Sequence, residues 1–117
     1  MQAPNPSEIR VSKDKKLLTV TFPELGKFEF TAEMLRVFSP SAEVQGHSPD
    51  QRKLVGGKKN VAIMQIEPIG NYAIRITFDD MHDTGIYSWA WFSENGPDME
   101  QHFQSYQKEL SAAGLSR

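Results

Sequence analysis

The densest group of residues that could do chemistry lies in the stretch DDMHD, which contains Asp79, Asp80, His82 and Asp83. A histidine beside carboxylates can hold a divalent metal ion or act in acid–base catalysis. The same composition suits a solvated turn between two strands, because aspartate favours turns. The turn is the interpretation that the sequence favours, and a metal or ligand site centred on His82 is the alternative.

A non-haem iron centre would need two histidines and one carboxylate. Asp80 and His82 supply one residue of each kind, and the second histidine would have to be His47 or His102. Nothing in the spacing of either residue points to that role. The sequence therefore argues against an iron site of this type.

Other candidate groups carry weaker signals. The stretch GGKKN, residues 56–60, lacks the spacing of a phosphate-binding Walker loop. We interpret its lysines, with Arg52 and Lys53, as a solvated positive loop. The alternative interpretation is that this loop binds an acidic surface of a partner protein.

Arg75 is expected to pair with Asp79 or Glu67, or else to bind an anion. No nucleophile elbow surrounds any of four serines, namely Ser39, Ser41, Ser48 and Ser88. Core packing is the expected role of four aromatic residues, Tyr87, Trp89, Trp91 and Phe92.

The chain as a whole has the composition of an ordinary globular domain. It has 117 residues, of which 38% are hydrophobic and 24% are charged, and its formal net charge is −2. A net acidic chain is not suited to neutralising phosphates, so we expect no nucleic acid partner. The lack of cysteine excludes disulfides, thiolate metal sites and thiol catalysis. Without a signal-peptide pattern or an apolar stretch of about 20 residues, we predict a cytoplasmic protein that does not contact a membrane.

The hydrophobic pattern predicts an α+β fold with a small, mostly antiparallel sheet, two short helices and a C-terminal amphipathic helix. We predict a hairpin over EIRVSKDKKLLTVTF, with SKDK as its turn, and a short third strand over KFEFT. Thr31 is predicted to cap a short helix over AEMLRVF. The later predicted strands are VAIMQIEPIG, YAIRITFDD and IYSW. One face of the strand YAIRITFDD is predicted to carry Tyr72, Ile74, Ile76 and Phe78.

The remaining segments complete a predicted single domain over residues 1–117. No periodicity is visible between Ser39 and Asn60, which predicts an irregular loop. Ser88 is predicted to cap the helix WAWFSEN, and residues 1–7 are predicted to be disordered. A last helix from about Asp98 to Ala113 is predicted to bury Met99, Phe103, Tyr106 and Leu110.

Two stretches of the chain resemble the gamma-butyrobetaine hydroxylase-like N-terminal domain family, in the form of its stand-alone bacterial members. They are LRVFSPSAEVQGH, residues 35–47, and IEPIGNYAIRITFDDMHDTGIYSW, residues 66–89. The resemblance extends from about Ser7 to Arg117, and the second stretch is its more specific part. The small members are domains of unknown function. In the larger carnitine-pathway hydroxylases the module precedes the catalytic oxygenase domain. This chain has no such domain, so the oxygenase activity is not carried over.

The resemblance also implies the position of a lost zinc site. In the larger proteins the module resembles a small zinc-binding unit with three cysteines, in the pattern C-P-C-x-x-C, and a downstream histidine. On this pattern the cysteine positions fall on Ser39, Ser41 and Val44, and the histidine falls on His82. Serine is a poor zinc ligand at neutral pH and valine is none, whereas zinc sites need about four nitrogen or sulfur ligands. We therefore expect no metal or other cofactor, and we expect Ser39, Ser41 and His82 to lie together as a polar contact.

We interpret the chain as a non-catalytic accessory or protein-interaction module and not as an enzyme. Some relatives are fused to P-loop ATPases that resemble iron–sulfur cluster carriers, which implies a protein partner. The residues predicted to contact a ligand or partner are Arg75, Asp80, His82 and Asp83. The alternative is a metal- or small-ligand-binding module centred on the His82 turn. The identity of the partner and the oligomeric state stay open.

Overall fold

The computed structural model describes residues 5–46 and 53–117, and these residues form six strands and four helices. The strands are β1 (Glu8–Val11), β2 (Leu17–Phe22), β3 (Gly26–Thr31), β4 (Ile63–Ile69), β5 (Ala73–Phe78) and β6 (Gly85–Ser88). The helices are α1 (Ala32–Val37), α2 (Ala42–Gln45), α3 (Trp89–Asn95) and α4 (Met99–Ala112). Antiparallel strands, short helices and a C-terminal helix confirm the predicted α+β class.

The strands divide between two antiparallel sheets, in the orders β1-β2-β3 and β4-β5-β6. Each sheet is a meander of consecutive strands, because short turns favour pairing between neighbours in the sequence. The two sheets meet where the Ile63 N–H donates to the Lys15 carbonyl at 2.8 Å. This contact places the start of β4 beside the turn that joins β1 to β2.

The central strands β2 and β5 supply much of the core. Their inward-facing residues alternate with outward-facing ones, as expected for strands with one buried face. The buried residues of these strands include Leu18, Val20, Phe22, Ile74, Ile76 and Phe78, and they join one cluster with residues of α1, α3 and α4. The prediction for Tyr72 was wrong, because this residue precedes β5 and is 56% exposed. Its ring instead lies over Gly70, where an added Cβ would be 3.1 Å from two ring carbons.

Both predicted helix caps are confirmed. The Thr31 hydroxyl accepts a hydrogen bond from the Met34 N–H at 3.1 Å, at the start of α1. The Ser88 hydroxyl accepts one from the Trp91 N–H at 3.0 Å, at the start of α3. Each cap satisfies a backbone donor that the first turn of a helix leaves unpaired. The predicted inward face of α4 is also confirmed, since Met99, Phe103, Tyr106 and Leu110 are buried.

The prediction of an irregular loop after Ser39 was wrong over α2. The Ser41 carbonyl accepts hydrogen bonds from the N–H groups of Val44 and Gln45 at 3.0 and 2.9 Å. A single turn is too short to show a helical period in the sequence, so no pattern could reveal it. At the other end of the chain, residues 1–4 of the predicted disordered segment lie outside the described residues. Ser7, in contrast, donates its N–H to the Thr21 carbonyl at 2.7 Å.

The helices of the described ranges are all shorter or more polar than a membrane-spanning helix would have to be. The longest, α4, has 14 residues and carries polar residues between its four buried positions. Its length is below the roughly 20 residues that span a bilayer.

Candidate functional site

The loop after α1 and the turn after β5 meet inside the protein. Ser39 Oγ lies 3.0 Å from His82 Nε2, and the two residues are 0% and 7% exposed. The turn that carries the histidine is closed by a hydrogen bond from the Phe78 N–H to the His82 carbonyl at 3.0 Å. Met81 takes a φ of 72° in this turn, which is the left-handed region that non-glycine residues enter mainly in turns. The predicted proximity of Ser39 and His82 is therefore confirmed.

Ser41 and Thr84 extend this contact into a small network, which we call the Ser–His junction (Ser39, Ser41, His82 and Thr84). The Ser41 N–H donates to Ser39 Oγ at 3.2 Å, and Ser41 Oγ lies 2.6 Å from Thr84 Oγ1. Gln45 Nε2 donates to the Ser39 carbonyl at 2.8 Å. The network ties the segment after α1 to the segment before β6.

The four positions that the resemblance assigns to zinc ligands are all buried. Ser39, Ser41 and His82 belong to the Ser–His junction, and Val44 lies on α2 with 2% of its surface exposed. Hydroxyl and imidazole groups satisfy one another here, and the valine adds an apolar side chain. Buried polar groups need such partners, because an unpaired one costs about 1–3 kcal/mol.

Gly85 lets β6 approach the Ser–His junction closely. A Cβ at this position would lie 2.7 Å from Ser39 Oγ and 3.0 Å from Tyr87 Cε1. Tyr87 in turn donates its hydroxyl to the Leu35 carbonyl at 2.5 Å, and burial raises the pKa of the Tyr87 phenol, which therefore stays neutral. Nothing in the sequence indicated this role for Gly85, because a glycine at the start of a strand has many common explanations.

Asp80 does not face the junction imidazole but forms an ion cluster beside it. Its Oδ2 lies 2.7 Å from Arg36 Nε and 2.6 Å from Lys58 Nζ, and its Oδ1 accepts from the His82 N–H at 3.1 Å. Burial on its own would raise the pKa of Asp80. The hydrogen bonds from Lys58, Arg36 and the His82 backbone outweigh this effect and lower the pKa to about 2. Sequence reasoning missed both cations, because neither is near Asp80 in the chain.

Arg75 pairs with Glu67 across the β4–β5 ladder, which confirms one of the two predicted pairings. Its Nη2 donates to the two carboxylate oxygens at 2.9 and 3.0 Å. The hydrogen bond and charge of Glu67 raise the pKa of Arg75, with a smaller contribution from the exposed Asp83. Asp79 instead accepts from the Ala62 N–H at 3.0 Å and closes the end of the hairpin.

The predicted contact residues are therefore not gathered into one site. Arg75 lies on β5 and pairs with Glu67, whereas Asp83 is exposed in the segment between β5 and β6. Asp80 pairs with Arg36 of α1, and His82 is buried against Ser39. The alternation of strand and turn positions separates these side chains although they are close in sequence. Across the described ranges, no set of three or more His, Asp or Glu side chains is arranged to hold a metal ion.

The remaining candidates have structural roles where they are described. Lys58 belongs to the Asp80 cluster, whereas Lys53 and Lys59 are exposed. His102 is exposed on α4, and its ring makes an edge-to-face contact with the Phe38 ring at a centroid separation of 6.4 Å. His47, Ser48 and Arg52 lie outside the described residues. Packing of the aromatic group is confirmed by ring contacts between Tyr87, Trp89, Trp91, Phe92 and Phe30.

Replacing His82 with alanine is expected to speed amide exchange in the loop after α1 and to leave the strands unchanged. The hydrogen bond to Ser39 is worth about 0.5–1.5 kcal/mol, which is enough to order a loop but not to hold the fold. The effect should be largest at the amides of Ser41 and Gln45, which bond within the loop. Hydrogen exchange followed by NMR measures this directly.

Ser39→Ala removes the same hydrogen bond from the other side and should accelerate exchange at the same amides. Met81→Ala is the matched control, because Met81 is exposed in the same turn. Uniform acceleration across β2 and β5 in both test variants would show that the junction holds the whole fold. Unchanged amide exchange at Ser41 and Gln45 would show that the Ser–His junction does not order the loop.

The comparisons with known proteins agree with this architecture. The family described as gamma-butyrobetaine hydroxylase-like, N-terminal, matches residues 9–93. Two NMR solution structures are 42% and 39% identical to the chain, with TM-scores of 0.84 and 0.83. Each match covers 99% of this chain, and they cover 91% and 86% of the other chains.

A third solved structure is 31% identical to this chain, with a TM-score of 0.62. The match covers 75% of this chain and 88% of the other chain. It is the crystal structure of a protein of unknown function from Acidithiobacillus ferrooxidans that belongs to the DUF971 family. The comparison with curated proteins found no match. The family match spans most of the chain and includes both the loop after α1 and the His82 turn. The chain therefore belongs to the gamma-butyrobetaine hydroxylase-like N-terminal domain family.

Proposed function

We propose that this protein is a non-catalytic accessory module that binds a protein partner, and that hydrogen bonds have replaced the family's zinc site in it. The observation that carries the proposal is the buried contact between Ser39 Oγ and His82 Nε2 at 3.0 Å. It occupies the position where the resemblance places two zinc ligands, and it links the same two segments that a metal would link.

The same contact has the length of a nucleophile–base pair, so an enzyme has to be considered. A catalytic serine must reach a substrate, whereas Ser39 is fully buried and its hydroxyl also accepts from the Ser41 N–H. The Gly85 backbone and the Tyr87 ring cover it on the β6 side. This packing keeps the Ser39 hydroxyl out of solvent, which supports a structural role for the pair.

The charged side chains near the site also have partners within the protein. Asp80 is paired with Arg36 and Lys58, and Arg75 is paired with Glu67. A paired carboxylate with a low pKa is poorly suited to general acid or base work near neutral pH. These pairings favour a rigid module over an active site.

The partner class comes from the resemblance. Relatives in which this module is fused to a P-loop ATPase resembling an iron–sulfur carrier suggest that a stand-alone copy binds such an ATPase as a separate chain. Fusion in one protein and association in another are two ways of keeping the same two domains together. We propose an ATPase of this class as the partner.

The experiment is a reciprocal affinity capture from native cells, followed by titration of the purified pair. The tagged protein should retain the ATPase in a fixed ratio, and the tagged ATPase should retain this protein. A tagged unrelated protein of similar size is the control. If no protein is retained in a fixed ratio in repeated captures, and a divalent metal ion raises the unfolding temperature, the ligand-binding alternative replaces this proposal.

A further inference from the structure

Glu33, in the first turn of α1, is a buried acidic residue outside the Ser–His junction. Its side chain is 5% exposed and pairs with Arg117, whose side chain is 38% exposed. Acidic side chains are almost never buried without a partner, because the charge loses its hydration. The carboxylate is therefore the fixed, buried member of the pair, and the cation is the member that solvent reaches.

The Arg117 guanidinium meets the carboxylate with two of its nitrogens. Its Nε lies 3.0 Å from Glu33 Oε2, and its Nη2 lies 2.7 Å from Glu33 Oε1. The guanidinium carbon also lies over the Phe103 ring, 5.2 Å from its centroid. We call the two receiving residues the Glu33 site (Glu33 and Phe103). A planar guanidinium can bond a carboxylate twice and stack on an aromatic ring at once, whereas an ammonium has no such fork.

A short strap, residues 115–117, carries the guanidinium to this site. The chain reverses after α4 at Gly114, whose φ is 72°, and the Leu115 N–H donates back to a carbonyl of α4 at 2.8 Å. The Ser116 carbonyl then accepts from the Gly57 N–H at 2.9 Å. The strap buries little apolar surface, since Leu115 is 48% exposed. Segments of this kind open locally at a lower cost than the whole fold.

We propose that the Glu33 site is a guanidinium-binding site with an exchangeable occupant. Arg117 fills it while the strap is closed, and a guanidinium from outside the chain fills it when Arg117 is absent. The carboxylate belongs to α1 and the ring to α4, so both halves of the site stay in place when the strap leaves. This inference goes beyond the accessory function and does not depend on the proposed partner.

The first test removes the occupant and supplies a substitute. Arg117→Ala leaves a buried carboxylate unpaired, so the unfolding temperature should fall by roughly 5–10 °C. Millimolar N-acetylargininamide should raise the unfolding temperature of this variant by several degrees, because it binds the folded state. It should leave the wild type nearly unchanged, since Arg117 already fills the site. N-acetyllysinamide has the same charge without the fork and should have a several-fold smaller effect on the variant.

Arg10→Ala is the matched control, because Arg10 pairs with Glu8 at the surface, where their side chains are 71% and 52% exposed. This variant should keep the unfolding temperature of the wild type and show no response to the probes. Three outcomes would overturn the proposal. They are an Arg117→Ala variant as stable as the wild type, equal rescue by the two probes, and an equal response of the wild type and the variant.

Glu33→Gln keeps the shape of the site and removes its charge. Combined with Arg117→Ala, it should destabilise the protein by less than the sum of the two single changes, because both remove one interaction. N-acetylargininamide should not stabilise this double variant. Rescue that survives Glu33→Gln would show that the probe binds elsewhere and would overturn the proposal.

A measurement on the wild type decides the matter if Arg117→Ala does not fold. The Arg117 Nε–H donates to a buried carboxylate, whereas Arg10 reaches its exposed partner through Nη2. In NMR spectra the Arg117 Nε–H should therefore exchange with water at least several-fold more slowly than the Arg10 Nε–H. Equal exchange of the two groups would overturn the proposal. Because none of these measurements needs a partner, failure of the partner captures would leave the Glu33 site standing.

Discussion

Replacing Phe103 with alanine is expected to lower the free energy of unfolding by about 3–5 kcal/mol. Phe103 is 9% exposed, and its ring stacks on Tyr106 with a centroid separation of 5.5 Å. The Arg117 guanidinium lies over the same ring, 5.2 Å from its centroid. Because typical domains unfold at a cost of only about 5–15 kcal/mol, the loss should shift the denaturant midpoint strongly.

Gln104→Ala is the matched control for this prediction, because Gln104 is exposed and adjacent on α4. Its midpoint should stay close to that of the wild type. Urea unfolding followed by circular dichroism measures both variants. Equal and small effects would mean that α4 lies at the periphery and does not close the core.

The Asp80 ion cluster is expected to make the protein sensitive to acid between about pH 4 and pH 2. The pKa of Asp80 falls from 3.8 to about 2 on folding. A carboxyl whose pKa is lowered in the folded state stabilises that state above its unfolded pKa. This contribution is lost as the pH falls through the folded pKa, and for a shift of this size it is roughly 2 kcal/mol.

Asp80→Asn tests this linkage, because asparagine has nearly the shape of the protonated acid. At neutral pH the variant should be less stable than the wild type by roughly 2 kcal/mol, and the difference should shrink to near zero below about pH 2. Asp83→Asn, in the same turn but exposed, is the control. A difference between wild type and Asp80→Asn that stays constant over this range would contradict the account.

Much of the fold follows from local patterns in the sequence. The alternation in LLTVTF and AIRITF predicted the buried faces of β2 and β5, and the capping roles of Thr31 and Ser88 follow from hydroxyl chemistry at helix starts. The helical spacing from Met99 to Leu110 predicted the buried face of α4. The division into two sheets was not predicted, because periodicity indicates strands and not which sheet each one joins.

The candidate site depends on contacts between distant residues, which one sequence does not reveal. Ser39 and His82 are 43 positions apart, and their proximity was predicted only from the resemblance. Arg36 and Asp80 are 44 positions apart, and no pattern linked them. Tyr72 was misplaced because the apolar alternation in the sequence includes it, although β5 begins one residue later, at Ala73.

Zinc binding by the wild type and by a variant with restored thiolates tests the central claim most directly. The variant carries Ser39→Cys, Ser41→Cys and Val44→Cys, which with His82 builds the three-sulfur, one-nitrogen ligand set that the resemblance implies. Calorimetric titration should show no stoichiometric zinc binding by the wild type and one zinc ion per chain in the variant. Cobalt substitution should give the variant the absorption of a tetrahedral thiolate site, and adding His82→Ala should weaken it. One zinc ion bound per wild-type chain, or a folded triple variant that binds none, would contradict the account.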